Sequence, residues 1–169
     1  MQNAVIYYDE TFSPVARYDT LRGVLAVAVL ERLKLHQFDM KTAFLCSTVQ
    51  KAVHVRQPEG FDDGSGRVCK IKRSLYGLKQ APRCWNKRFI DSMKDQKLEV
   101  STAGPCLLLR QRNCKKLIVA INVEEELIAG SEESEIDVFI DQLHRKITTG
   151  TLSYFLEMPT EQRKDGIFV

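Results

Sequence analysis

The sequence lacks the cysteine pattern of a disulfide-stabilised protein and that of a zinc site. Its five cysteines are an odd number, no two of them form a C-x-x-C pair, and the three histidines form no cluster beside them. We therefore predict free thiols in a reducing compartment. The cysteines are Cys46, Cys69, Cys84, Cys106 and Cys114.

Long hydrophobic runs are also missing. No apolar stretch approaches the ~20 residues that a membrane-spanning helix needs. The first residues, MQNAVIYYDETFSP, lack the basic segment and apolar core of a secretory signal. We expect an intracellular protein that does not associate with a membrane.

The chain has no strong excess of charge. Its net charge is +3 over 169 residues, with 44% hydrophobic and 28% charged residues, which is ordinary for a folded globular domain. The charges are unevenly distributed, because basic residues are concentrated between Arg67 and Lys97 whereas the stretch from Glu124 to Glu135 holds six Glu and no base. The first segment suits phosphate, and the second suits metal or solvent.

Three segments have the spacing or the end signals of helices. From Thr20 to Leu35 apolar residues recur at helical spacing, with Thr20 as the predicted N-cap. After Pro82, at the first helical position, an amphipathic helix is predicted to have a basic exterior. Ser131 is predicted to cap a third helix that continues through Arg145.

The remaining segments have the pattern of strands and turns. Residues 52–56 and 68–73 predict one hairpin, and residues 106–111 and 117–123 predict a second, followed by a strand at 127–130. Residues 153–158 and 167–169 predict a last hairpin. With no linker, repeat or low-complexity tract, the order predicts one mixed α+β domain around an antiparallel sheet.

Acidic residues lie at two points where strands end. Asp39 follows the start of a short apolar strand, a position that suits a site residue, although a capping or turn aspartate is the alternative. Glu124 and Glu125 lie at a tight turn between apolar strands. By themselves, Glu124 to Glu126 are also compatible with a solvated acidic turn.

Several segments resemble one family in order along nearly the whole chain. They are YDETFSPVARYDTLR, HQFDMKTAFL, VRQPEGF, KRSLYGLKQAPRCWN, LIAGS and LSYFL. They resemble the reverse transcriptase region of copia-type LTR retrotransposon Pol polyproteins. The resemblance implies an α+β polymerase fold of fingers and palm, with an antiparallel palm sheet packed on helices. It also implies that residues 1–169 are one reverse transcriptase domain fragment, without the thumb, RNase H, integrase and protease regions.

The resemblance implies a metal site of three carboxylates. It maps the first carboxylate onto Asp39 and an adjacent pair onto Glu124 and Glu125. These would hold two divalent ions, Mg²⁺ or Mn²⁺, for nucleotidyl transfer.

This sequence departs from the family pattern at that pair. The family has Tyr-Val-Asp-Asp where this chain has Asn122, Val123, Glu124 and Glu125, followed by a further Glu126. Each Glu is one methylene longer than Asp, and an error of about 1 Å in an active site costs ~100-fold in rate. The departures predict impaired or absent polymerisation.

The resemblance also implies a set of nucleotide-binding residues. Phe44 is similar to the steric gate that excludes a 2′-hydroxyl, with a core phenylalanine as the alternative. The implied set also contains Lys79, Gln80 and Arg83 in the LYGLKQAPR segment, for which an ordinary basic loop and helix start is the alternative. It further contains Arg17 and Arg22 in the first segment, for which surface arginines without a function are the alternative.

The implied function is an RNA-directed DNA polymerase domain, whose partners are an RNA or DNA template-primer and dNTPs. Its location would be the cytoplasm, in a retroelement particle, or the nucleus. The alternatives are a non-catalytic nucleic-acid-binding remnant or co-opted module, and a degenerate copy with no function. The first predicts nucleotide addition, and the second predicts salt-sensitive binding without extension.

Overall fold

The computed structural model describes residues 10–40, 42–122 and 125–147, and the backbone alone of Glu125 and of short segments between 150 and 168. The chain divides into two compact units. One comprises residues 1–13 and 44–88, and the other comprises residues 14–43 and 89–169. Helices and antiparallel strands occur together, which confirms the α+β class.

The elements in chain order are α1 (Tyr18–Leu30), β1 (Lys34–Asp39), a short 3-10 helix (Ala43–Cys46), β2 (Thr48–Arg56), β3 (Val68–Arg73), α2 (Ala81–Asp95), β4 (Glu99–Val100), β5 (Leu107–Arg112), β6 (Lys115–Ile121), β7 (Glu125–Gly130), α3 (Glu133–His144), β8 (Gly150–Thr151), β9 (Tyr154–Phe155), β10 (Met158–Pro159), β11 (Glu161–Arg163) and β12 (Gly166–Phe168). None of the helices in the described part of the chain is long and apolar enough to cross a bilayer.

The larger unit is built on a six-stranded sheet in the order β4-β5-β6-β7-β1-β8, in which neighbouring strands run antiparallel. One face packs on the apolar side of α1. Its buried cluster contains Leu21, Val24, Leu25 and Ala28 of the helix, and Ile118, Ala120, Leu127 and Ala129 of the sheet. The helical spacing that predicted α1 is therefore the spacing of its buried face.

The helix α3 packs close to β7. A side chain at Gly130 would place its Cβ 2.7 Å from a side-chain carbon of Ile136, which is closer than carbon atoms approach. Gly130 is therefore required for this helix to approach the strand. Buried Ile136, Phe139 and Leu143 form the inner side of α3.

Helix ends differ from their predicted positions. The helix α1 begins at Tyr18 with Arg17 as its N-cap residue, so the predicted N-cap at Thr20 is wrong. It ends at Leu30 rather than Leu35, because Arg32 adopts a left-handed conformation (φ 55°) and the Leu33 N–H donates to the Ala28 carbonyl. That bond closes a Schellman motif and stops the helix.

Ser131 does not cap α3, whose N-cap residue is Glu132. The Ser131 hydroxyl instead accepts a hydrogen bond from the Lys116 backbone N–H, at 2.9 Å. Pro82 is the second residue of α2. Ser131 and Pro82 were each associated with the correct helix start, but each lies one position away from the role predicted for it.

The strand predictions for the first two hairpins and for 127–130 are confirmed by β2–β3, β5–β6 and β7. The C-terminal prediction is wrong. Among the described residues of this region, β9 pairs with β10 and β11 pairs with β12, as two separate short hairpins.

Candidate functional site

Asp39 is the last residue of β1, in the interior of the six-stranded sheet. Its backbone lies opposite Glu125 on β7 and opposite Gly150 on β8. Residues directly opposite each other on antiparallel strands have Cα atoms ~4.5–5.5 Å apart. The strand register thus brings together two of the three predicted carboxylate positions, and Asp39 is half-buried there.

The connection between β6 and β7 is short. Strand β6 ends at Ile121 and β7 begins at Glu125, so the three residues 122–124 join the two strands. The third predicted carboxylate, Glu124, lies outside the described residues, and Glu125 is described by its backbone alone. Of the acidic positions at this turn, Glu125 lies opposite Asp39 and Glu126 lies opposite Phe38.

Glu126 has a different environment from the one that a solvated acidic turn implies. It is fully buried and pairs in register with Phe38 on one side and Ile121 on the other, both also buried. Because side chains alternate along a strand, Glu126 shares its face of β7 with Ile128 and Gly130. For this residue the interpretation as a solvated turn is wrong.

A divalent ion needs oxygen ligands that converge. Among the residues whose side chains are described, which exclude Glu124 and Glu125, no three His, Cys, Asp or Glu side chains form a cluster that could hold an ion. The chemistry and strand positions of Asp39 and Glu125 do fit, since carboxylates are the ligands that Mg²⁺ takes from proteins. The agreement with a metal site thus rests on the residue types of Asp39 and Glu125 and on the register of their two strands.

Phe44 lies in the 3-10 helix of the smaller unit and is 9% exposed. Its ring packs against the half-exposed ring of Tyr76, with centroids 4.7 Å apart and planes tilted by 51°. The sequence argument did not select Tyr76, although it lies within LYGLKQAPR. Gly77 follows it with a φ of 88°, a conformation that favours glycine and sets the direction of the chain after Tyr76.

The predicted nucleotide-binding residues of the LYGLKQAPR segment differ in exposure. Lys79 is exposed, whereas Gln80 is buried. Arg83 forms an ion pair with Glu10 at 2.7 Å and donates a hydrogen bond to the Phe12 carbonyl at 3.3 Å. Arg83 therefore holds the segment that contains Glu10 and Phe12 against the start of α2.

Arg17 and Arg22 belong to the larger unit, as does Asp39. Arg17 occupies the N-cap position of α1 and is exposed. Arg22 is exposed and lies 3.9 Å from the carboxylate of Asp19, one turn earlier in the same helix. An exposed pair of this kind contributes little to stability, so the fold does not depend on it.

Comparison with known proteins places this sequence in a family. Residues 1–169 match the family described as reverse transcriptase (RNA-dependent DNA polymerase). The chain belongs to this family. The match extends over both compact units, so both belong to the reverse transcriptase sequence.

Relatives of this reverse transcriptase chain include Pol polyproteins of plant transposons. It is 36% identical over 138 residues to the retrovirus-related Pol polyprotein from transposon TNT 1-94 of Nicotiana tabacum, covering 80% of this chain and 10% of that polyprotein. It is 32% identical over 165 residues to the one from transposon RE1 of Arabidopsis thaliana, covering 95% and 11%. These relatives confirm the resemblance to copia-type Pol polyproteins. The chain spans about a tenth of their length.

Proposed function

We propose that this chain is the fingers and palm portion of a copia-type RNA-directed DNA polymerase. The observation that carries the proposal is the pairing of Asp39 with Glu125 on adjacent strands of the sheet. A polymerase site needs carboxylates from separate parts of the chain at one point, and an antiparallel register supplies that without flexible loops. Family membership makes nucleotidyl transfer the chemistry to test first.

Asp39, Glu124 and Glu125 would hold the two Mg²⁺ or Mn²⁺ ions. When bound, such ions activate the attacking oxygen and offset the negative charge of the transferring phosphoryl group. The contribution of this chain is to hold Asp39 at the end of β1 between two neighbouring strands. A ligand on a hydrogen-bonded strand is positioned more accurately than one on a loop.

The proposed site is impaired by its own sequence. Glu124 and Glu125 replace the two Asp of the family pattern, and Asn122 replaces its Tyr. Each longer side chain displaces its oxygens by about one bond length, and an error of about 1 Å costs ~100-fold in rate. We therefore infer low or absent polymerisation by the unaltered chain.

The residues that the family resemblance assigns to the incoming nucleotide differ in what their surroundings allow. Phe44 is proposed as the steric gate, and its contact with Tyr76 fixes the direction of its ring. Lys79, Arg17 and Arg22 are exposed cations that suit a triphosphate. Gln80 is buried and suits a role in holding its loop. Arg83 must exchange its pairing with Glu10 to bind phosphate.

Primer extension tests this proposal. The unaltered chain is compared with Asn122→Tyr/Glu124→Asp/Glu125→Asp on a primed RNA template, with Mg²⁺ and with Mn²⁺. We expect the restored variant to extend the primer and the unaltered chain to be slower by ~100-fold or more. The restored variant with an added Asp39→Asn change is the matched control, and it should be inactive.

Two results would contradict parts of the proposal. Equal extension by the unaltered and restored chains would show that the glutamates do not impair the site. Undiminished extension by the variant that carries Asp39→Asn would remove Asp39 from the metal ligands.

A non-polymerising nucleic-acid-binding protein is the second candidate. It is favoured by the replaced acidic motif together with the exposed basic residues of the smaller unit. It predicts binding of a primed duplex that weakens with salt, and no extension by either the unaltered or the restored chain.

A further inference from the structure

A groove lies in the larger unit between the end of α2, the β5–β6 hairpin and α3. The residues that line it fall within 95–97, 110–115 and 132–142, and its volume is about 550 Å³. A site of that size accommodates a small ligand or the end of a chain.

The groove is separate from the acidic turn that precedes β7. Lys115, which lines the groove, is the first residue of β6, and residues 122–124 follow Ile121 at the other end of that strand. A strand of 7 residues spans about 20 Å. A ligand in the groove therefore does not occupy the candidate metal site.

Buried polar atoms without partners belong to the residues that line this groove. Gln96 is 8% exposed, and neither the nitrogen nor the oxygen of its side-chain amide has a hydrogen-bond partner among the described residues. The same holds for the Nε of Arg110 and for one carboxylate oxygen of Glu135. Because an unpaired buried polar group is costly, a ligand that supplies partners is favoured here.

The other contacts of Arg110 hold these atoms in place. Its Nη1 donates to the Gln96 backbone carbonyl at 2.9 Å, and its Nη2 donates to the Glu135 carboxylate at 2.9 Å. The side chains of Arg110 and Glu135 are only 13% and 19% exposed, so water screens this ion pair weakly. The network joins the end of α2, β5 and α3, which makes the unpartnered atoms part of a fixed site.

The groove also carries a positive charge that no described acid offsets. Lys97 and Arg112 are exposed and have no ion-pair partner among the described residues. The acids that line the groove are each paired with another cation. These pairs are Glu135 with Arg110, Glu132 with Lys115, and Asp95 with Lys146.

These features match the chemistry of a peptide C-terminus. A peptide unit carries a C=O and an N–H, which suit the unpartnered donor and acceptor of the Gln96 amide. A terminal carboxylate suits Arg112, because a guanidinium binds a carboxylate through two parallel hydrogen bonds. Val138 lines the same groove and is 55% exposed, so it offers contact to an apolar last side chain.

A phosphate ester matches the groove less well than a carboxylate. It carries a charge of about −1.5 to −2 at neutral pH, whereas a carboxylate carries a single charge. Glu132 and Glu135 line the same groove, and their charges repel the phosphate more strongly.

We propose that this groove binds the C-terminal end of a peptide chain whose last residue is apolar. The terminal carboxylate contacts Lys97 and Arg112, the last peptide unit forms hydrogen bonds with Gln96, and the last side chain lies against Val138. This inference goes beyond the proposed function, because the binding involves neither the candidate metal site nor polymerisation.

Nitrogen–proton NMR of the isotope-labelled chain tests the groove, because the Gln96 side-chain amide and the Arg110 Nε–H each give a signal. The probe is acetyl-Ala-Ala-Leu with a free carboxylate, and its matched control is the same peptide with a C-terminal amide. We expect the acid to shift both signals. The amide should bind at least about tenfold more weakly, since it lacks the charge-assisted hydrogen bonds. Sodium acetate, which has the carboxylate without the peptide unit, should also bind at least about tenfold more weakly.

Substitutions separate binding from folding. Gln96→Leu should lower affinity for the peptide acid by at least about fivefold. It should not lower the midpoint of urea unfolding, because the amide that it removes has no partner among the described residues. Lys97→Gln/Arg112→Gln should abolish the preference for the acid over the amide. The control Lys34→Gln/Arg145→Gln removes the same charge from exposed positions of the same unit outside the groove and should retain that preference.

Several outcomes would overturn the inference. These are no shift of either signal by the peptide acid, equal affinity for the acid and its amide, or equal losses in the groove pair and its control. Equal affinity for acetate would mean an adventitious ion only, and tighter binding of phenyl phosphate would assign the groove to phosphate esters. Because none of these measurements involves primer extension, a negative result leaves the proposed function to be decided separately.

Discussion

At residue 126 the chain has a carboxylate inside its sheet. Glu126 is fully buried between Phe38 and Ile121. Removing a carboxylate from water is costly even when it has polar contacts. Glu126 follows Glu125 in the sequence, and its burial means that the acidic stretch contributes to the packing of the sheet.

We predict that Glu126→Leu stabilises the protein. A similar-sized apolar side chain removes the desolvation cost of the buried carboxyl group, which for buried polar groups in proteins is about 1–3 kcal/mol. The midpoint of urea unfolding should rise with an unchanged m-value. Glu133→Leu, at a half-exposed carboxylate that contacts His36, is the control, and it should not raise the midpoint. A lower midpoint for Glu126→Leu would mean that the contacts of the carboxylate outweigh its desolvation.

At the scale of elements, two helices end in the same way. In α1 the Leu33 N–H donates to the Ala28 carbonyl, and after α2 the Leu98 N–H donates to the Met93 carbonyl. Both are Schellman motifs, and the left-handed residue is Arg32 in one and Lys97 in the other, with φ of 55° and 64°. Glycine normally occupies this position, because a Cβ there costs energy.

We therefore expect Arg32→Gly and Lys97→Gly each to stabilise the protein by roughly 0.5–1 kcal/mol. The relief of left-handed strain exceeds the added chain entropy of glycine in the unfolded state. For a protein of this size the melting temperature should rise by about 1–4 °C. The controls Arg32→Ala and Lys97→Ala keep the Cβ and should give no such rise. A lower melting temperature for the glycine variants would mean that the charged side chains stabilise these ends.

Local sequence signals predicted where the helices lie, but they did not predict the residues at which the helices begin and end. The apolar spacing of α1 is a property of consecutive residues and was read correctly from them. Its end at Leu30 depends on a left-handed arginine, which has no sequence signature of the kind that glycine provides. Ser131 has the chemistry of a cap, but its hydroxyl is used by the neighbouring strand at Lys116.

At the scale of the whole molecule, the exposure of each cysteine thiol reflects how tightly the chain packs around it. All five cysteines are free in the structure, which agrees with the prediction from their number and spacing. Cys69 and Cys114 are exposed, Cys46 is half-buried, and Cys84 and Cys106 are buried. The two compact units each contain exposed and buried thiols.

Native alkylation mapped by mass spectrometry should follow that order. Cys69 and Cys114 should react within the first phase, and Cys84 and Cys106 should react only as fast as their surroundings open. The same reaction in denaturant is the control, and all five should then react together. Rapid native labelling of Cys84 or Cys106 would contradict the packing of its unit.

The amino-acid sequence by itself determined the family, the α+β class and the positions of most elements, because apolar period, turn residues and motif order are local properties. It also identified Asp39 and the acidic pair as positions to examine. Only the tertiary structure decided that Asp39 lies opposite Glu125, that Glu126 is buried, and that Phe44 packs on Tyr76. These facts depend on strand register and on contacts between distant residues, and a register shift of one residue would turn each strand's side chains to the opposite face.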